Sequence, residues 1–243
     1  LALASDEAKH AARTLRACAS GGAALPVQVL SDFENAFDCF ILEGYGLSET
    51  SPVVSFNPAS IQDFSGTTGL PLPDTDVKLL DESGQAVALG ESGEVCVKGP
   101  QVMQGYWKQP EANAAAFTPD GYFRTGDVGV ITPEGFLRIV DRKKDMVIVS
   151  GFNVFPNEIE AVATACPGVA ECACVGVPDE KTGEALKLFV VRAPGASLTS
   201  DELVAHCRAG LTAYKVPKLV AFVDALPKST VGKILRRELR DAN

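Results

Sequence analysis

The chain has 243 residues, 46% of them hydrophobic and 22% charged, with a formal net charge of −9 and a sequence pI near 4.8. This is the composition of an ordinary soluble globular protein; its acidity argues against a general nucleic-acid binder, and no apolar run approaches the ~20 residues of a membrane-spanning helix. The length suits one large domain or two smaller pieces, of which two is the preferred organisation.

The opening, LALASDEAKH, has neither a basic leader nor an initiator Met, so the chain is expected to begin inside a longer protein. A helix is expected over 5–18, after the cap candidate Ser5. SGGAALP (20–26) is a loop, and Pro26 opens a second amphipathic helix to about Phe37. CFILEGYG (39–46) reads as a short buried strand that runs into a glycine turn. Short alternating strands follow at 76–87, 93–99 and 135–140, punctuated by DESG and PDG, and suggest a small β-barrel or curled sheet. Five charged residues in a row, Asp141 to Asp145, are poorly suited to a buried core and better suited to a joint between two units. Beyond it the pattern changes to a helix (157–165), strands (169–177 and 184–192), a helix (200–210), a strand (218–223) and a last helix (233–241). That is a compact α+β unit of about 100 residues.

Three segments can carry chemistry. GYGLSET (44–50) follows a strand; its glycines let the backbone approach a flat ligand, Tyr45 offers a stacking face, and Ser48 and Glu49 pair a hydroxyl with a carboxylate, suited to a phosphate and its Mg²⁺. Alone, it is as readily a Gly turn with exposed polar residues. YFRTGDVG (122–129) places Asp127 in a Gly-flanked turn, where a carboxylate can accept ribose hydroxyls; the bland alternative is an Asx-type turn. Lys233, after Gly232 at the start of a basic helix, can neutralise charge on a reacting phosphate, or be a surface lysine. SGTTGLP (65–71) imitates a phosphate loop but lacks a following Lys-Gly, and its prolines remove amide donors. It reads instead as the loop entering the barrel.

His10 and His206, on helices without a partner pattern, read as surface residues. The seven cysteines have no metal-like spacing and read as thiols in a reducing compartment; Cys172 and Cys174 share one face of a strand. From Tyr214 onward, seven Lys and Arg face three Asp and Glu, a net +4 that leaves −13 upstream. The basic tail could face phosphates or be a solvated helix.

In order along the chain, SGGAALP, EGYGLSET, GEVCVKGPQVMQGYW, YFRTGDVG, VDRKKDMVIVSGFNVFPNEIE and LPKSTVGKILRREL resemble the adenylate-forming superfamily of acyl-CoA synthetases, luciferases and peptide-synthetase adenylation domains. EGYGLSETSP, KGPQVMQGYW and DRKKDMVIVSGFNVFPNEIE are most like those of bacterial long-chain fatty acid–CoA ligases. The resemblance implies the α/β end of a large AMP-binding domain at 1–142, with a β-barrel subdomain from about 52, and a small α+β domain at 143–243. It implies two steps: a fatty acid carboxylate attacks the α-phosphate of MgATP to give acyl-AMP and pyrophosphate, the small domain rotates, and the thiol of CoA then attacks the acyl-AMP. Gly22, Ala23, Glu43, Gly44, Tyr45 and Gly46 would line the adenine pocket, Ser48 would contact the AMP phosphate, and Glu49 would bind Mg²⁺. Asp127 and Arg142 would hold the ribose, Lys144 would be the hinge, Gly151 would border the CoA path, and Lys233 would be the catalytic lysine of adenylation.

Family members are more than twice as long, and their phosphate loop lies upstream of the GYGLSET position. The chain is therefore expected to be a C-terminal part with little adenylation activity of its own, whose first 50 residues are its least stable. A non-catalytic AMP- or CoA-binding module and another carboxylate substrate are the alternatives. The expected location is the cytoplasm, with peripheral contact at the inner membrane face left open; acyl chain length and oligomeric state are not encoded in these residues.

Overall fold

The computed structural model describes residues 5–23, 25, 27–61, 66–230 and 232–241. Residues 1–4, Ala24, Pro26, Ser65 and Val231, which belong to segments singled out above, lie outside the described residues. The chain divides into two compact units, one ending at Ile139 and the other beginning at Val140.

The first unit opens with α1 (Asp6–Ala11), capped by Ser5, whose side chain accepts from the Ala8 amide at 3.2 Å. The helix expected to Cys18 stops here. Ala17–Ser20 instead forms β1, paired in parallel with β2 (Phe40–Gly46), so that strand pairing overrides the helical preference of alanine. Between them α2 (Val27–Phe37) buries Leu30 and sets Phe33 against Phe37 with ring centroids 4.8 Å apart. Asp38, with a φ of 49°, ends it in the left-handed region that stops helices. Two short strands absent from the sequence reading, β3 (Val53–Phe56) and β4 (Leu70–Pro71), complete a sheet in the order β1-β2-β3-β4.

A second sheet contains β5 (Asp76–Leu80), β6 (Ser92–Lys98), β7 (Phe123–Ile131) and β8 (Leu137–Arg142), in the order β5-β6-β7-β8; α3 (Pro110–Ala116), begun by a proline, precedes β7. The expected barrel is therefore an open sheet. Four strands are too few to close around a filled interior, and Val54, Leu79, Val95, Val97 and Leu137 pack as the unit's core instead.

After the charged joint, the second unit forms a hairpin, β9 (Val147–Val149) and β10 (Phe152–Val154), turned by Ser150 and Gly151 at φ 52° and 83°. Positive φ at both turn residues matches the right-handed twist of the strands. Then come α4 (Pro156–Thr164), the long hairpin β11 (Val169–Asp179) and β12 (Gly183–Arg192), α5 (Ser200–Gly210), β13 (Leu219–Phe222) and α6 (Arg236–Asp241). The sheet runs β10-β9-β12-β11, with β13 parallel to β12. One face of β11 carries Cys172 and Cys174 into a core with Ile159, Leu188, Leu203 and Cys207; the other sends Ala173, Val175 and Val177 against Leu226 and Leu239. All seven cysteines are free thiols. Among the described residues, no helix is long and apolar enough to cross a membrane.

Candidate functional site

In the first unit, the register of β1 with β2 sets Ser20 beside Glu43. The exposed Gly22 and Ala23 therefore follow the carboxyl end of one parallel strand where Glu43 to Gly46 complete its neighbour, the place where α/β sheets gather ligands. Gly22 has a φ of 82°. The glycines of the second strand answer to packing: a Cβ on Gly44 would stand 2.4 Å from the Phe56 ring, and one on Gly46 1.8 Å from the Pro52 carbonyl oxygen. Burial raises the Glu43 carboxyl above its ordinary range.

Tyr45 donates its phenolic proton to Asp127 Oδ2 at 2.6 Å, across 82 residues of sequence. Asp127 is not in a turn. It lies within β7 at a bulge, where Thr125, Gly126 and Asp127 fall between the pairs Glu94–Val128 and Cys96–Arg124. Gly126 takes φ 72°, the Thr125 hydroxyl donates to the Val95 carbonyl at 2.8 Å, and the Asp127 amide donates to Thr125 Oγ1 at 3.1 Å. Bulges of this kind re-aim a side chain. Ser48 is exposed and Glu49 half-buried on a tight 3-10 turn, Ser48–Thr50. Tyr106 donates to Glu49 Oε1 at 3.0 Å, and burial together with this carboxylate raises the Tyr106 phenol. A single half-buried carboxylate fits Mg²⁺ of the kind held by one or two protein oxygens plus substrate phosphates.

In the second unit, the charged joint is only partly solvated. Arg142, Lys143 and Lys144 are exposed, but Asp141 and Asp145 are 2% and 5% exposed. This corrects the expectation that all five charges avoid the interior; those at the ends are paired. Asp141 accepts from the Arg142 amide at 2.7 Å and from the Asn157 amide, at the start of α4, at 2.8 Å. Asp145 meets Arg240 at 2.5 Å and lies 3.7 Å from Arg236. Gly151 is exposed at the tip of the β9–β10 hairpin, and no atom of the described residues lies within 4 Å of where a Cβ would sit.

Lys233 does not begin a helix, because α6 starts only at Arg236. It is exposed at a small hairpin tip, where the Ser229 amide donates to its carbonyl at 2.8 Å, its own amide donates to Ser229 Oγ at 3.2 Å, and Lys228 bridges to Ile234. Gly232, at φ 80°, makes that turn and so delays the helix.

The polar groups of the Gly/Thr loop are engaged internally: Thr67 and Asn57 bond twice, and Thr68 Oγ1 donates to the Leu137 carbonyl at 3.0 Å. His206 is half-buried with its ring facing the Val162 carbonyl at 3.1 Å, not at the surface as expected; His10 lies exposed beside Arg13. Tyr106, Glu160 and Arg236 make contacts that the sequence motifs do not single out. Tyr106 stood within GPQVMQGYW, and the repeated carboxylates of NEIE against the arginines of RREL were the available signal.

The description "AMP-binding enzyme" matches residues 1–107, and "AMP-binding enzyme C-terminal domain" matches residues 158–233. The chain is 54% identical over 228 residues to a long-chain-fatty-acid–CoA ligase of Yersinia pestis, covering 94% of this chain and 40% of the relative. Among solved structures it is similar to ATP-bound MatB from Rhodopseudomonas palustris, with a TM-score of 0.88 and 38% identity over 92% of this chain and 44% of that one. It is also similar to o-succinylbenzoate CoA synthetase from Bacillus subtilis in complex with an acyl-adenylate intermediate, with a TM-score of 0.85 and 33% identity over 94% and 46% of the two chains. The chain thus spans about two-fifths of the length of the curated ligase.

Proposed function

Because the chain belongs to the AMP-binding enzyme family, we propose that it is the C-terminal part of a long-chain fatty acid–CoA ligase. The observation that carries the nucleotide reading is the Tyr45–Asp127 hydrogen bond. It joins the GYG and TGD segments, so an aromatic face near the end of β2 and a ribose-accepting carboxylate at the bulge of β7 stand together. The 54% identity to a fatty acid ligase supports the acyl substrate.

In this reading a fatty acid carboxylate attacks the α-phosphate of ATP, expelling pyrophosphate, and the CoA thiolate then attacks the acyl-adenylate carbonyl, expelling AMP. Gly22, Ala23 and Glu43 to Gly46 border the adenine, Ser48 donates to the phosphate, and Asp127 accepts the ribose hydroxyls. Mg²⁺, when held by Glu49, would supply neutralisation of phosphate charge. From the second unit, Arg142 is assigned to the ribose, Lys233 to the charge developing on the α-phosphate, Lys144 to the hinge and Gly151 to the CoA path. The division of labour, with Lys233 serving the first step only, predicts a split phenotype. In the full-length protein, Lys233→Ala should lower ATP–pyrophosphate exchange by about 10²–10³-fold while CoA capture of a presynthesised acyl-adenylate persists. Exchange at the parent rate would remove Lys233 from the mechanism, and a series of carboxylates of rising chain length in the same assay identifies the acyl group.

A further inference from the structure

Lys233 is exposed, yet the chain on both sides of it is anchored. Before it, Leu226 is buried with Ala173 and Val175, and Lys228 donates to Glu171 at 2.6 Å. After it, Ile234 packs on the same cluster, and the next turn is the first of α6. The Arg236 guanidinium there donates to Glu160 Oε1 at 2.9 Å, Glu160 Oε2 at 2.7 Å and Asn157 Oδ1 at 2.8 Å, and reaches Asp145 at 3.7 Å. Glu160 also accepts from the Cys174 amide at 2.7 Å, which fixes the carboxylate from the sheet side. Arg240, one helical turn on, takes the other oxygen of Asp145. The Arg236 and Glu160 side chains are 16% and 15% exposed, and Asp145 only 6%.

Buried ion groups of this kind are weak sources of stability, because desolvation offsets most of their attraction. They do impose geometry: a planar fork accepts carboxylates in few arrangements, and lysine cannot replace it. The fork links the base of the Lys233 hairpin to the last residue of the charged joint.

We propose that Arg236 is a positioning residue for Lys233: bound to Glu160 and Asp145, it holds the Lys233 hairpin in fixed register with the joint at 141–145. The proposal rests on the adenylation role given to Lys233 above. The hydrophobic cluster retains the hairpin on the sheet, whereas the ion group fixes where its tip stands.

The test uses the full-length protein with Arg236→Lys, Asn157→Ala and Lys233→Ala, assayed for ATP–pyrophosphate exchange and, separately, for CoA capture of a presynthesised acyl-adenylate. Arg236→Lys should lower the kcat of exchange roughly ten- to a hundredfold by misplacing the ammonium, with the KM for ATP and the capture step unchanged. Asn157→Ala removes one acceptor of the fork without stranding a charge, and should give the same split at about threefold, which keeps the test open if Arg236→Lys does not fold. Parallel losses in both steps would show a merely structural role, and exchange at the parent rate in both fork variants would overturn the proposal outright. If Lys233→Ala itself leaves exchange intact, the adenylation role fails first and takes the positioning role with it. If that variant is inactive while the fork variants are normal, only the positioning role fails.

Discussion

Charge in an interior must be paired, and the second unit shows how this acts on single side chains. Asp141 and Asp145 are buried against backbone amides and guanidinium groups, while neighbouring thiols serve as small hydrophobes. Burial, reinforced by the Glu160 charge, pushes the Cys172 thiol up to about 12 and the Cys174 thiol well above its ordinary value of 9. Only the thiolate is nucleophilic, so at pH 8 both remain protonated and shielded. Ellman's reagent on the native chain should therefore label the partly exposed Cys18 first and leave Cys172 and Cys174 unreacted until denaturant is added. A fast native count of all seven thiols would contradict this. The period of two in ECACV made this shared buried face legible from sequence. The burial of Asp145 was not legible, because its partner Arg240 lies 95 residues further on.

Elements whose ends are set by local chemistry are the ones the sequence predicts well. Helix α5 runs over the expected 200–210 because Thr199 and Glu202 form a reciprocal capping box: the Glu202 amide donates to Thr199 Oγ1 at 3.3 Å, and the Thr199 amide donates to Glu202 Oε2 at 2.9 Å. Elements set by distant pairing were missed. Ala17–Ser20 is a strand only because β2 lies beside it, and the β9–β10 hairpin was overlooked although Ser-Gly is a turn signal. Thr199→Ala should destabilise the second unit by ~1 kcal/mol in urea titration, with Thr199→Ser close to the parent; equal midpoints for all three proteins would deny the cap any role. The Thr199 amide and hydroxyl also hold the Glu202 carboxyl below its ordinary value of 4.5. Its contribution is thus complete above that value and is lost as pH falls through the depressed one. The stability gap between parent and Glu202→Gln should close on acidification through that window and stay constant above it.

At the scale of the molecule, the two units differ in how well their outlying elements are buried. Among the described residues, both apolar clusters of the second unit draw on positions between Val147 and Leu239. In the first unit, α1 has no buried residue and β1 none fully buried, and β1 stands at the edge of its sheet. An edge strand with few apolar contacts opens at low free-energy cost, whereas central strands exchange only by larger unfolding. Backbone hydrogen exchange on the whole chain should therefore be fastest over α1 and β1 and slowest over β11 and β12, whose facing residues Cys174 and Leu188 are fully buried. A core supplied from 147–239 also predicts that residues 140–243, expressed alone, unfold cooperatively and keep the same protection at β11 and β12. If that protection disappears in the isolated unit, its core depends on residues before Val140, and the Arg236 ion group could not hold the Lys233 hairpin without them.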